Sequence, residues 1–203
     1  MKILLSIPTE VEINNKIFSE ILADFKPQLI ITGIGSINTT FNLTKYLLNN
    51  NIELVIHGGI AGALKEKLTL GSVFQVVEDV FADYGINVNG IITNEIQVFD
   101  NNVFKNNEFK KLSLPCAKGI TLNSITLSDN IKSYYLNKYN ADIETMENAA
   151  IFYVCSKLNI PFYCFRSISN YVGDRNKQNW KIDLAVENLW LTLKEVFKVL
   201  HNE

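Results

Sequence analysis

Short apolar runs recur along this chain at intervals that only a helix or a long connection can fill. They fall at residues 3–7, 29–32, 54–57, 72–81 and 160–165. Each is too short for a core helix and has the length of a strand buried on both faces. Residues 37–48, 146–158 and 184–200 carry apolar side chains at helical spacing. Strands alternating with helices predict an α/β chain, a three-layer α/β/α sandwich around a mixed, mostly parallel sheet. No repeat or low-complexity linker interrupts the pattern, so residues 1–203 read as one domain. Segment 86–114 is Asn-rich and weakly patterned, and reads as an antiparallel excursion or an irregular loop.

Composition narrows the function classes. A net charge of −2 gives no footprint for nucleic acid or a membrane surface. No apolar run approaches a bilayer span. The opening MKILLSIP enters a strand at once and lacks a long apolar leader, which predicts a cytoplasmic protein. Cys116, Cys155 and Cys164 have no metal spacing, and His57 and His201 are the only histidines. Neither a zinc site nor a Ser-His-Asp triad can be assembled from that set, so no metal and no cofactor is expected.

Candidate chemistry sits at the strand ends. GIGSIN, residues 33–38, follows a strand and opens a helix, but Asn38 stands where a dinucleotide fingerprint needs its third glycine. A tight strand-to-helix turn is the preferred reading. HGGIAG, ending at Gly62, is a second glycine-rich strand end that could cradle a ligand through its backbone N–H groups. DIETMENAA puts Asp142, Glu144 and Glu147 before an apolar helix, where carboxylates either cap the helix or accept from a sugar diol. Glu10 and Glu12 follow the first strand, and either could cap a helix or act as a base. The run 160–165 ends in RSISNYVGDRNKQNW, with Asn170 and the only two arginines, Arg166 and Arg175.

In that order, TEVE, ITGIGSINTT, HGGIAGALKEKLTLGSV, DIETMENAA and IPFYCFRSISN resemble the nucleoside phosphorylase/nucleosidase superfamily, in particular its nucleosidase branch. The Met-Glu pair followed by R-x-I-S-[ND] is the most specific part. The tail NYVGDRNKQNW is similar to the futalosine hydrolase family of the alternative menaquinone pathway. The resemblance implies a partly barrel-like mixed sheet and cleavage of an N-glycosidic bond in a small-molecule nucleoside. It implies that Glu12 activates water, with Glu10 the second choice if the register differs. It places Met146 and Glu147 at the ribose and Asn170 at the N7 edge of the purine. Thr121, Leu122 and Asn123 would line the base pocket with Gly62 nearby; Leu122 or Ile125 falls near the place of the family's stacking aromatic, which leaves Phe152 or Tyr171 as substitutes for it. Arg175 is the candidate for an acidic substrate tail. Relatives of this kind are commonly homo-oligomers, so a dimer or larger assembly is expected.

The identity of residue 170 predicts the base. An Asp at this place suits adenine, taking a hydrogen from N6 and giving a proton to N7. An Asn donates N–H to a 6-carbonyl and cannot act as an acid. Asn170 therefore favours a 6-oxopurine. Neither glycine-rich segment contains an Arg to hold phosphate, so water is the expected nucleophile.

Overall fold

A computed structural model describes residues 1–88, 91–93, 103–106 and 112–201. The strands are β1 (Ile3–Ile7), β2 (Gln28–Ile31), β3 (Leu54–Ala63), β4 (Val73–Val80), β5 (Ile86–Val88), β6 (Ile91–Thr93), β7 (Val103–Lys105), β8 (Cys116–Thr121), β9 (Ile143–Thr145) and β10 (Phe162–Tyr171). The helices are α1 (Asn15–Phe25), α2 (Ser36–Asn49), α3 (Asp129–Tyr139), α4 (Asn148–Leu158) and α5 (Ile182–His201).

β3 organises the sheet because it is long enough to have three neighbours. Its first half pairs with β1 in parallel, and its last two residues pair with β9 in antiparallel. Along its other edge it pairs with β10 from Val55 to Ala63. β10 pairs with β4, β4 with β8 and β8 with β9, so these strands close a ring through β3. β1 and β2 extend from that ring as an open parallel wing. The sheet is mixed, mostly parallel and half-barrel, as expected for the α/β class.

Apolar faces on both sides of the sheet give the layers. Leu5, Ile7 and Ile56 point to α1 and α5, where Ile21, Trp190 and Leu193 are buried. Leu4, Val55 and Cys164 point to α2 and α4, where Leu43, Ile151 and Phe152 are buried. α3 covers the barrel end with Tyr135 against Leu122 and Val172. Helices α1, α3 and α4 end on Lys26, Asn140 and Asn159 in the left-handed region, a common helix stop.

Two expectations change. The runs at 54–57 and 160–165 do not end there: HGGIAG and RSISN stay extended as the second halves of β3 and β10. Their small residues permit close strand pairing rather than a loop. Segment 86–114 holds the antiparallel pair β5–β6 and strand β7 on β4, and its residues 89–90, 94–102 and 107–111 lie outside the described residues.

α5 also reaches the first strand end. The Trp190 indole N–H donates to the carbonyl of Glu12 at 2.6 Å, with the ring wholly buried and edge-on to Phe18. Trp190→Phe leaves that carbonyl unpaired and is expected to cost about 1–3 kcal/mol in urea unfolding; no change in midpoint would show that the bond contributes nothing.

Candidate active site

The carboxyl ends of the parallel strands are where an open α/β sheet exposes its backbone to ligands. A cavity of about 260 Å³ lies there, bounded by Thr9, Glu12, Gly62, Met146, Glu147 and Asn170. A single 3-10 turn, Glu10–Glu12, carries the chain over the end of β1. It leaves Glu10 exposed and buries Glu12 on the cavity wall. Glu12 Oε1 accepts from the Ile60 N–H at 2.9 Å, and Oε2 accepts from the Thr9 hydroxyl at 2.8 Å. Each oxygen keeps a lone pair for a further donor.

Glu147 stands at the N-cap of α4 but does not cap its own helix with its side chain. Its Oε1 accepts from the Gly35 N–H at 3.0 Å, and Ser36 Oγ donates to the Met146 carbonyl at 3.1 Å. GIGSIN is therefore the brace for the Met146-Glu147 pair. Gly35 holds φ at +87°, a conformation that costs other residues strain, and this aims its N–H at the carboxylate.

Behind Glu147 lies Arg166, wholly buried on β10. Its Nη2 approaches Glu147 Oε2 at 3.3 Å and His57 Nε2 at 2.7 Å. Burial, then the guanidinium beside it, holds the His57 pKa well below its ordinary value. The ring is neutral, and since a guanidinium only donates, Nε2 must accept. Nδ1 then carries the hydrogen and donates to Ser6 Oγ at 2.9 Å. Burial raises the pKa of Glu147, and Arg166 opposes that rise.

Asn170 follows a register shift between β10 and β3 that re-aims the chain. The Ser169 hydroxyl donates to its Oδ1 at 2.8 Å, and its Nδ2 donates one hydrogen to the Tyr171 carbonyl at 3.3 Å. The second Nδ2 hydrogen remains for a ligand.

Five candidate residues thus meet: Glu12, Gly62, Met146, Glu147 and Asn170. The others stand elsewhere. Thr121 and Leu122 are buried off the cavity, with the Thr121 hydroxyl donating to Asp79 at 2.7 Å and accepting from the Ala149 N–H at 2.9 Å. Asn123 is exposed and bonded to Asp83 through both its nitrogens. Arg175 is exposed on the loop after β10. Phe152 is in the core, and Tyr171 turns its hydroxyl to the Leu68 carbonyl. The aromatic ring on the cavity is Trp180, joined by Val11, Ile34 and Ile60. Nothing in the local spacing of Trp180 marks it, because a loop carries it back. Among the described residues there is no cluster of metal ligands and no helix long and apolar enough to cross a membrane.

A family model described as the Phosphorylase superfamily matches residues 9–201. The chain belongs to this superfamily. It is 27% identical over 169 residues to the futalosine hydrolase of Thermus thermophilus, covering 78% of this chain and 75% of that protein. It is 24% identical over 157 residues to the aminodeoxyfutalosine nucleosidase of Campylobacter jejuni, covering 72% and 69%. The solved 5′-methylthioadenosine/S-adenosylhomocysteine nucleosidase of Campylobacter jejuni superposes with a TM-score of 0.79 at 18% identity over 100% of both chains. A futalosine hydrolase mutant of Helicobacter pylori does so at 0.77 and 17%, over 96% and 98%. At such identities the solved structures establish the phosphorylase-superfamily fold.

Arg166→Met removes the only cation bonded to Glu147 among the described residues. The expected cost is about 3–5 kcal/mol in denaturant unfolding, because a buried charge loses its partner. A loss below ~1 kcal/mol would mean that the pair is not buried as a unit.

Proposed function

We propose that this protein hydrolyses the N-glycosidic bond of futalosine, releasing hypoxanthine and dehypoxanthine futalosine as a step of menaquinone biosynthesis in the cytoplasm. The observation that carries this reading is Asn170 on the cavity, with Oδ1 engaged by Ser169 and an Nδ2 hydrogen left to donate. That amide fits a 6-carbonyl, on which negative charge grows as the base departs.

In this reading Glu12 takes a proton from water as the water oxygen attacks the anomeric carbon. Glu147 accepts from the 2′- and 3′-hydroxyls, and Met146 covers the ribose. Two carboxylates against one guanidinium leave the site net negative, which stabilises the positive sugar of an oxocarbenium-like transition state. The same balance disfavours phosphate: a dianion would have to approach Glu12 and Glu147, while Arg166 is wholly buried with its Nη2 on Glu147 and His57. Arg175, on the loop that also carries Trp180, is the proposed contact for the acidic tail of the substrate. The exposed apolar face of α2, with Ile37, Phe41 and Leu48, is the proposed contact of a homo-oligomer.

The test is chromatographic detection of free base from futalosine, inosine and methylthioadenosine, each with and without phosphate. Hypoxanthine from futalosine without phosphate is expected. Adenine from methylthioadenosine, or release that requires phosphate, would contradict the assignment. Glu12→Gln should lower kcat by roughly 10²–10⁴-fold with nucleoside binding retained in calorimetry.

A further inference from the structure

We propose that Asp79, acting through Thr121, is a positioning residue that keeps the Glu147 carboxylate free for the ribose. The inference rests on the nucleosidase reading above and concerns the helix whose N-cap Glu147 occupies.

The first N–H groups of a helix need acceptors, and the N-cap side chain ordinarily serves the residue two or three places on. The Glu147 side chain does not. Instead the Asn148 N–H donates to Thr145 Oγ1 at 3.4 Å, the Ala149 N–H to Thr121 Oγ1 at 2.9 Å and the Ala150 N–H to the Glu147 carbonyl at 3.0 Å. Strands β8 and β9 thus cap α4 with their threonines. No N–H of these three is left to draw the Glu147 carboxylate away from Gly35.

The hydroxyls form a chain with one direction. Thr121 donates to Asp79 Oδ1 at 2.7 Å. Its single hydrogen is then spent, so its oxygen accepts from Ala149 and from the Thr145 hydroxyl 3.4 Å away. Asp79 Oδ1 is the terminal acceptor, and it takes the Val80 N–H at 2.8 Å as well. Without it the buried Thr121 hydroxyl must turn to another acceptor, which takes its oxygen out from under the Ala149 N–H. Glu147 is then the cap at hand.

The barrel makes room for this carboxyl. Asp79 has no exposed surface. A Cβ on Gly119 of β8 would fall on Asp79 Oδ2 and lie 3.6 Å from Asn148 Nδ2. Burial pushes the Asp79 pKa up to about 7. A proton taken up there belongs on Oδ2, because Oδ1 already meets two donors. Oδ1 therefore accepts in either state. Asp79→Asn retains such an oxygen and Asp79→Ala does not.

The experiment couples Asp79 to Glu147. Asp79→Ala and Thr121→Val are each expected to lower kcat/KM on futalosine by about 10–10²-fold, the cost of a displaced contact. Asp79→Asn should recover most of that loss. In a Glu147→Ala background the same substitutions should add less than about threefold, because the group they position is gone. Crystal structures of the Asp79→Ala and Thr121→Val variants should show the Glu147 carboxylate off the Gly35 N–H and on the Ala149 N–H. Thr121→Val deletes only the hydroxyl, so the test stands on it if the Ala variant does not fold. No loss on futalosine, losses that persist in full in the Glu147→Ala background, an Asn variant as slow as the Ala variant, or a Glu147 carboxylate that stays on Gly35 would overturn the role of Asp79. Wild-type protein that releases no base would overturn the nucleosidase reading, and the place of Glu147 in the variant structures would then decide the brace by itself.

Discussion

A guanidinium in the dry interior is the constraint around which the site is built. Arg166 has no exposed surface, and an isolated charge there would be prohibitively costly. Glu147 and a neutral His57 offset that cost through one nitrogen. The arrangement demands room, and Gly59 on the neighbouring strand gives it: a Cβ at that position would fall on Arg166 Nη1 and come within 3.2 Å of Glu12 Oε1. The glycine at position 59 therefore leaves its space on β3 to the charged groups.

Each catalytic candidate is held by a different element, and the barrel closure brings those elements together. Glu12 is tied to β3 through Ile60 and to α5 through Trp190. Glu147 is tied to the first turn of α2 and to β10. Asn170 sits on β10, which pairs with β3 along its length. Movement of any one of these pieces is resisted by backbone hydrogen bonds of another, which is the preorganisation that an electrostatic site needs.

Much of this was legible in the sequence because it rests on local signals. Apolar runs marked β1 to β4 and β10, helical spacing marked α2, α4 and α5, and the Met146-Glu147 and Asn170 segments carried the superfamily likeness. The missed parts are those that tertiary contacts decide. HGGIAG reads as a turn by composition, yet strand partners on both edges keep it extended. The role of GIGSIN depends on Glu147, 112 residues away from Gly35. Strand β9 has three residues and no periodicity, so Glu144 read as one of three helix-start carboxylates. Thr121 was expected at the base and instead braces Asp79 and the first turn of α4. Trp180 reaches the cavity only because the loop after β10 folds back before α5.

The central claim is that residue 170 reads position 6 of the purine. Futalosine and aminodeoxyfutalosine differ at that position alone, so the ratio of their kcat/KM values, measured in the wild type and in Asn170→Asp, tests it directly. The account predicts a wild-type ratio well above one that falls by about tenfold or more in the Asp variant, the size of one differential hydrogen bond. A wild-type preference for aminodeoxyfutalosine, or a ratio that the substitution leaves unchanged, would contradict it.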